Sequence, residues 1–367
     1  MKAGPFYFLH EKAGARMTKG AWGLAEGYAD AKTEHFAVRN NVGMFDFSSL
    51  GNIDLKGGGV KETLQRVCVN DMNKLVPGKA LYTTIVNPDG GTLDDTTVYM
   101  FDERHYMIVT STARRFRTLR YVADHAAGKE VFITDITSGT GILCVQGPNS
   151  TPLLDKICKP AIGDIEYFFF KKVEIAGCDV LVSRTGYTGS RGYELFVGAE
   201  DSCDVWDAII DAGREFKMQL CGTQVSLMSL PLEKGYISRR EMNDSTNPYE
   251  LGLGWTVVPD KDTPCVANEA LKKIKERGPA NTLVGFVAPG RPEAVVPGTP
   301  VFSDGEEIGK VTSAGFGWSV GKFIGMAYIK SEHAVFGCRM RLLPEKGTSV
   351  EVEIADKVFF DPEGKHL

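Results

Sequence analysis

The sequence predicts an α+β protein of two or three domains that ends in a small all-β domain. Three observations carry this. The chain has 367 residues, and domains average roughly 150 residues. The first two thirds mix short β-branched runs with amphipathic helical runs. From about Pro279 onward, short strands alternate with Gly and Asp turns, the composition of a small all-β domain.

The elements follow in order. "EHFAVRNNVGMFDF" (34–47) reads as a helix that stops at Asn40-Asn41-Val42-Gly43 and passes into a strand. "GNIDLKG" alternates like a strand. "GVKETLQRVCVNDM" puts Val60, Leu64 and Val67 on one helical face. "ALYTTIVNPDGGTLDDTTVYMF" reads as two strands around the turn Asn87-Pro88-Asp89-Gly90-Gly91. "HYMIVTST" is a further strand and "RRFRTLRYVADHA" a basic helix. "GTGILCVQGPNS" is a strand ending in a turn, "PLLDKIC" is helical, and "YFFFKKVEIAGCDVLVSRTGYTG" is strand-rich. "DSCDVWDAIIDAGREF" is an amphipathic helix capped by Asp201 or Ser202. "KIKERGPANT" reads as a linker. A hairpin follows around Ser303-Asp304-Gly305.

Composition narrows the function. Hydrophobic residues make up 43% and charged residues 24%, which suits a globular chain large enough to fold without disulfides. The net charge of −5 argues against a broad nucleic-acid-binding face. The eight cysteines are scattered without CxxC spacing. The six histidines form no HxxxH or HExxH, so no metal site is expected. No window has the length and apolarity of a membrane span. The reading is of a soluble, cytoplasmic protein. "LKGGGVKE" lacks the Gly-Lys-Ser/Thr of a P-loop. "SAGFGWSVG" follows no βαβ unit and reads as a hairpin loop. "ARRFRTLR" (113–120) is either a solvated helix face or a site for an anion.

Three stretches resist a purely structural account. Asp94 and Asp95 sit together where a strand begins, although aspartate is disfavoured in strands. "SRTGYTGSRGYEL" (183–195) gathers Arg184, Tyr187 and Glu194 around three glycines. "NPYELGLGW" (247–255) is a turn and an apolar run holding one acid, Glu250.

With "EHFAVRNNVGMFDFSSLG", "GKALYTTIVNPDGGTLDD" and "GKVTSAGFGWSVGKFIGMAYI", these stretches resemble the aminomethyltransferase family. That family comprises the T-protein of the glycine cleavage system and its folate-dependent demethylase relatives. The likeness runs almost end to end. It implies a three-domain cloverleaf around a central folate channel, with a C-terminal all-β barrel or jelly roll. The implied parts are 1–52 plus 137–240, 53–136 plus 241–278, and 279–367.

The resemblance also implies tetrahydrofolate as cofactor. Asp95 matches the acid beside folate N5 and N10, and Glu194 the pterin-binding glutamate. Tyr187 and Tyr82 match aromatic residues near the pocket. Ser111 stands where an asparagine is usual. The family's T-G-E is Thr188-Gly189-Ser190 here, and its S-H-M-G is Ser48-Ser49-Leu50-Gly51. Its G-A-R-D arginine is absent from "GTQVSLMSLPLEKGY" (222–236), so Arg239 or Arg240, with the 114–120 cluster behind them, is expected to hold the folate tail.

The chemistry suits these residue types. A carboxylate accepts two adjacent pterin N–H groups in a charge-assisted pair, aromatic faces cover a flat ring, and an anionic tail wants arginine. Asp95 can orient the N5/N10 region or stabilise developing positive charge. Asp94 is expected to be a turn or capping residue. The departures around the donor and tail motifs point to a small S-, O- or N-methyl donor. The alternatives are an aminomethyl group on a lipoyl carrier protein and a non-catalytic folate-binding role.

Overall fold

The computed structural model describes residues 1–367. Two antiparallel sheets lie face to face with helices outside them, and a closed barrel packs against their connections. The first sheet has five strands in the order Phe132–Asp135, Gly51–Lys56, His105–Thr110, Thr92–Asp102 and Lys79–Val86. The second has six, in the order Phe170–Ile175, Cys178–Ser183, Gly192–Gly198, Thr140–Gln146, Gly43–Asp46 and Gln219–Leu220. Only the last pairing is parallel.

Strand alternation sorts the residues of each sheet. In the first sheet, Val98 and Met100 face the helices Val60–Val67 and Arg115–Ala126 and share a core with Leu64 and Val122. Tyr99 points the other way and meets Phe45, Ile142, Cys144 and Phe196 of the second sheet. The far side of the second sheet buries Leu143, Val182 and Leu195 under Val205, Trp206 and Ile209 of helix Ser202–Glu215.

The C-terminal strands Asn281–Ala288, Lys322–Lys330, Glu306–Gly317, Pro300–Ser303, Arg339–Leu342 and Val350–Ala355 close into a barrel, not a jelly roll. It joins the rest through Leu232, Met242, Leu251 and Leu253 packed on Leu283, Ile324 and Met326. No helix is long and apolar enough to cross a membrane.

Local signals explain most element ends. Asp30 caps helix Ala31–Asn40 by accepting from the Thr33 amide at 3.0 Å. The Asn87–Gly91 turn closes where expected, with Gly90 at φ 89°. A Cβ on Gly91 would come within 1.7 Å of the Asp244 carbonyl, so only glycine fits there.

Three readings need correction. "PLLDKIC" is helical only to Leu154, because the Asp155 carboxylate turns to accept the Ile162 and Gly163 amides. Asp201 occupies the cap position of helix Ser202–Glu215 but makes no side-chain cap bond, because a 3-10 turn runs straight into the helix. "KIKER" is not linker but the end of helix Asn268–Arg277, whose Leu271 and Ile274 bury against Val69 and Val86.

Candidate active site

Asp94 and Asp95 both lie inside the Thr92–Asp102 strand, so their side chains leave on opposite faces. Asp94 enters the helix layer. It is fully buried and accepts from Ser111 Oγ at 2.6 Å and Thr118 Oγ1 at 2.7 Å. The expectation of a turn or cap is thus overturned: the turn ends before Thr92, and two hydroxyls from the next strand end and its helix satisfy the acid. Burial, with the neighbouring Asp95 charge, pushes its carboxyl up to about 7.

That shift fixes a pH dependence. The unfolded carboxyl titrates near 3.8, so between about 4 and about 7 the native state binds more protons than the unfolded state. Stability should fall as pH rises through that window, by about 1.4 kcal/mol per pH unit at most. Asp94→Asn should flatten this part of the curve, as urea midpoints at pH 4.5 and 7.5 would reveal. A wild-type midpoint rising with pH across the window would contradict it.

Asp95 faces the cleft between the sheets. It is half-buried, and the Tyr82 hydroxyl donates to its Oδ2 at 3.0 Å. Tyr82 and Asp95 meet because Thr84 is the cross-strand partner of Asp95 and Tyr82 lies two residues along on the same face. Burial raises the Asp95 carboxyl despite that bond. Burial and then Asp95 raise both the Tyr82 and Tyr187 hydroxyls, so both are neutral donors. Tyr187 donates to the Ile237 carbonyl and stacks on Tyr236 with ring centroids 5.5 Å apart.

Glu194 occupies the facing strand. Thr185 Oγ1 and the Tyr99 hydroxyl, the latter at 3.4 Å, hold Oε2, while Oε1 accepts nothing from the protein. Burial raises this carboxyl too. Tyr99 shares a face with Asp95 four residues away, about 13 Å along the strand. The cleft therefore runs from the acid held by Tyr82, Asp95, to an acid with one free oxygen, Glu194. Tyr167, exposed at 39%, neighbours both Glu194 and Tyr236. The glycine loop before Glu194 wraps Gln146 so tightly that a Cβ on Gly186 would sit 2.3 Å from it. Arg184 does not join the cleft; it donates to the Ile165 and Leu367 carbonyls.

A cavity of about 250 Å³ adjoins the cleft, walled by Tyr187, Tyr236, Met228, Phe316, Trp318 and Arg240. Arg240 has no carboxylate partner, and its guanidinium lies 3.7 Å from Met228 Sδ. Arg239 is exposed and borders no part of this cavity. Three of the four arginines in 114–120 are already engaged. Arg114 and Arg117 clasp Asp244, and Arg115 meets Asp135. That clasp fixes the 241–247 segment on the first sheet. It brings in a residue that the sequence-based expectations omit, the buried Glu241, which accepts from Ser238 and Ser313. Ser111 comes to Asp94 and not to the Asp95 cluster. Tyr99 and Thr185 were also missed. Tyr99 was findable, since it shares strand parity with Asp95.

Comparisons with known proteins agree with this architecture. Residues 6–261 match the family model described as the GCVT N-terminal domain, and 281–361 match the glycine cleavage T-protein C-terminal barrel domain. An aminomethyltransferase of Halothermothrix orenii is 34% identical over 341 residues, covering 92% of this chain and 94% of that protein. One of Geobacillus kaustophilus is 36% identical over 349 residues, covering 92% and 93%. The glycine cleavage system aminomethyltransferase T of Bartonella henselae superposes with a TM-score of 0.88 over 98% of both chains, at 24% identity. That last likeness concerns the fold. The two acids on facing strands and the terminal barrel thus belong to a tetrahydrofolate-dependent one-carbon transferase. The chain is a member of the GCVT family, that of the glycine cleavage T-protein.

Proposed function

We propose that the enzyme transfers the carbon of an S-aminomethyl group on the reduced lipoyl arm of a carrier protein to tetrahydrofolate, breaking its C–S and C–N bonds so that the arm's thiol and ammonia are released. The relatives' name, aminomethyltransferase, favours this donor over a small methylated molecule. The expectation of a methyl donor rested on altered motifs, and their positions weaken that inference. Thr188 and Ser190 hold Arg39, and Ser229 and Glu233 hold His35 and Arg39. The change at Ser190 and the altered 222–236 stretch therefore fall on a buried ionic node that joins the parts of the fold. Ser49 and Leu50, the altered positions of the S-H-M-G stretch, likewise bond Thr112 and pack on the core between the sheets, respectively.

The observation that carries the reading is the pairing of Asp95 and Glu194 across one cleft. The residues suit the pterin: Glu194 has a free oxygen, a locked partner oxygen and aromatic neighbours. Tetrahydrofolate, when bound, supplies the N5 and N10 nitrogens that take up the carbon. Glu194 would accept the pterin edge. Asp95, oriented by Tyr82, would stabilise positive charge near N5. Ser111 would act through Asp94. Tyr187 and the cavity beside it would take the ring beyond the pterin, and the unpartnered Arg240, rather than Arg239, would meet the anionic tail. The three-part division at 1–52 plus 137–240, 53–136 plus 241–278 and 279–367 belongs to the same proposal.

Donor identity is tested by offering tetrahydrofolate with either an aminomethylated lipoyl carrier or a panel of methyl donors. Methylene-tetrahydrofolate and ammonia are expected from the carrier; methyl-tetrahydrofolate from the panel would overturn the assignment. Glu194→Gln is expected to weaken tetrahydrofolate binding by about 2 to 3 kcal/mol, because the acceptor for one N–H becomes a donor. Unchanged affinity by calorimetry would remove Glu194 from the site.

A further inference from the structure

We infer that Trp255 is the positioning residue that receives the donor's apolar arm beside Asp95, an inference that rests on the proposed carrier-linked donor. Trp255 is 68% exposed, yet it stacks on Tyr82 with ring centroids 6.0 Å apart and planes 21° from parallel. Tyr82 is the residue that donates to Asp95. The tryptophan is therefore one ring away from the acid and open to whatever approaches it.

Its exposure does not come from a loose turn. The amide and hydroxyl of Thr256 both donate to the Leu253 carbonyl, at 2.9 and 2.7 Å, and Leu253 and Thr256 are buried. A Cβ on Gly254 would lie 2.8 Å from the Tyr249 ring, so the backbone there is closely packed. The Val258 amide donates to the Val69 carbonyl, and the next residue, Asn70, donates to the Tyr82 carbonyl at 3.0 Å. The turn is thus fixed to the strand that carries Tyr82. An indole held on a rigid support loses little freedom when a partner covers it, and tryptophan is enriched among such anchors.

The chemistry of the two approaches to Asp95 differs. The cavity reached through Tyr187 contains Arg240 and suits an anionic tail. On the Tyr82 side lies an exposed indole on which no cationic side chain stacks. It suits an uncharged chain bearing sulfur, since thioethers pack well against aromatic rings. Trp255 takes no part in bond making; it holds the arm by packing on it, equally before and during transfer.

The test uses Trp255→Ala and Trp255→Phe in the full chain, with the aminomethylated lipoyl carrier and tetrahydrofolate varied in turn. Trp255→Ala should raise the carrier KM about 10-fold or more while kcat stays within about 3-fold. The tetrahydrofolate KM and the melting temperature should hardly move, and Trp255→Phe should recover most of the carrier KM. If Trp255→Ala does not fold, Trp255→Gln replaces it with the same expectations. An unchanged carrier KM, or equal rises for both substrates, would overturn the inference alone. A wild-type enzyme inactive with the carrier would overturn the proposed function and this inference with it.

Discussion

Asp95→Asn is expected to fold at the wild-type melting temperature, bind tetrahydrofolate nearly as well, and turn over about 100-fold or more slowly. The amide is nearly isosteric and keeps an oxygen for the Tyr82 hydroxyl, so the local geometry survives. The negative charge is lost, and with it any stabilisation of positive charge in the cleft. Asp94→Asn is the matched control, because its side chain enters the helix layer, where Ser111 and Thr118 can satisfy an amide. Its turnover should stay within a few-fold of wild type. Burial raises the Asp95 carboxyl, so wild-type kcat should begin to fall on acidification above the ordinary aspartate range. Single-turnover rates of both variants decide the matter. An Asp95→Asn enzyme working at the wild-type rate would leave the family assignment standing and remove Asp95 from the chemistry.

How far the sequence could be read depends on the range of each interaction. Alternation and turn chemistry act over a few residues, and the strands around Asn87–Gly91 lie where those signals put them. The same rule assigns Asp94 and Asp95 to opposite faces. Overlooking it made Asp94 a turn residue, when the strand already begins at Thr92. Helix Asn268–Arg277 was obscured because Gly278 and Pro279 drew attention away from Leu271 and Ile274, one turn apart on its buried face. Glu241 had only a weak local signal, its S-x-x-E spacing from Ser238, whose amide and hydroxyl donate to it. Its place depends on Asp244 being held by Arg114 and Arg117, more than 120 residues earlier in the chain. The Val225–Ser229 π-helix, whose Leu227 and Met228 remain partly exposed beside the cavity, also has no period that a heptad or strand pattern would reveal.

The largest stability effect is expected at another long-range contact, between helix Ala31–Asn40 and Glu233. Glu233 is fully buried. Arg39 Nη2 reaches its Oε2 at 3.1 Å, His35 Nε2 lies 3.3 Å from the same oxygen, and the Ser319 amide donates to Oε1 at 2.7 Å. Burial alone would raise this carboxyl, but His35 and Arg39 outweigh it and hold it below the ordinary glutamate range. Phe360 of the C-terminal segment covers Arg39, with the guanidinium 4.1 Å from the ring centroid. One node thus joins the second sheet's helix, the 230–234 helix, the barrel and the tail. Glu233→Ala removes the one carboxylate in contact with Arg39 and leaves a buried guanidinium with only the more distant Asp361 charge, which costs about 3 to 5 kcal/mol. The sign with pH follows from the lowered carboxyl. The ionised node stabilises the wild type above the unfolded glutamate value of 4.5, and that contribution is lost as pH falls through the lower native value. The urea midpoint of Glu233→Ala should therefore lie well below wild type at pH 7, and the gap should narrow on acidification. Charge pairing predicts further that Arg39→Met combined with Glu233→Leu recovers much of the loss, since an apolar replacement leaves neither charge stranded. A double variant as unstable as the sum of its singles would mean that the node contributes through packing and not through its charges.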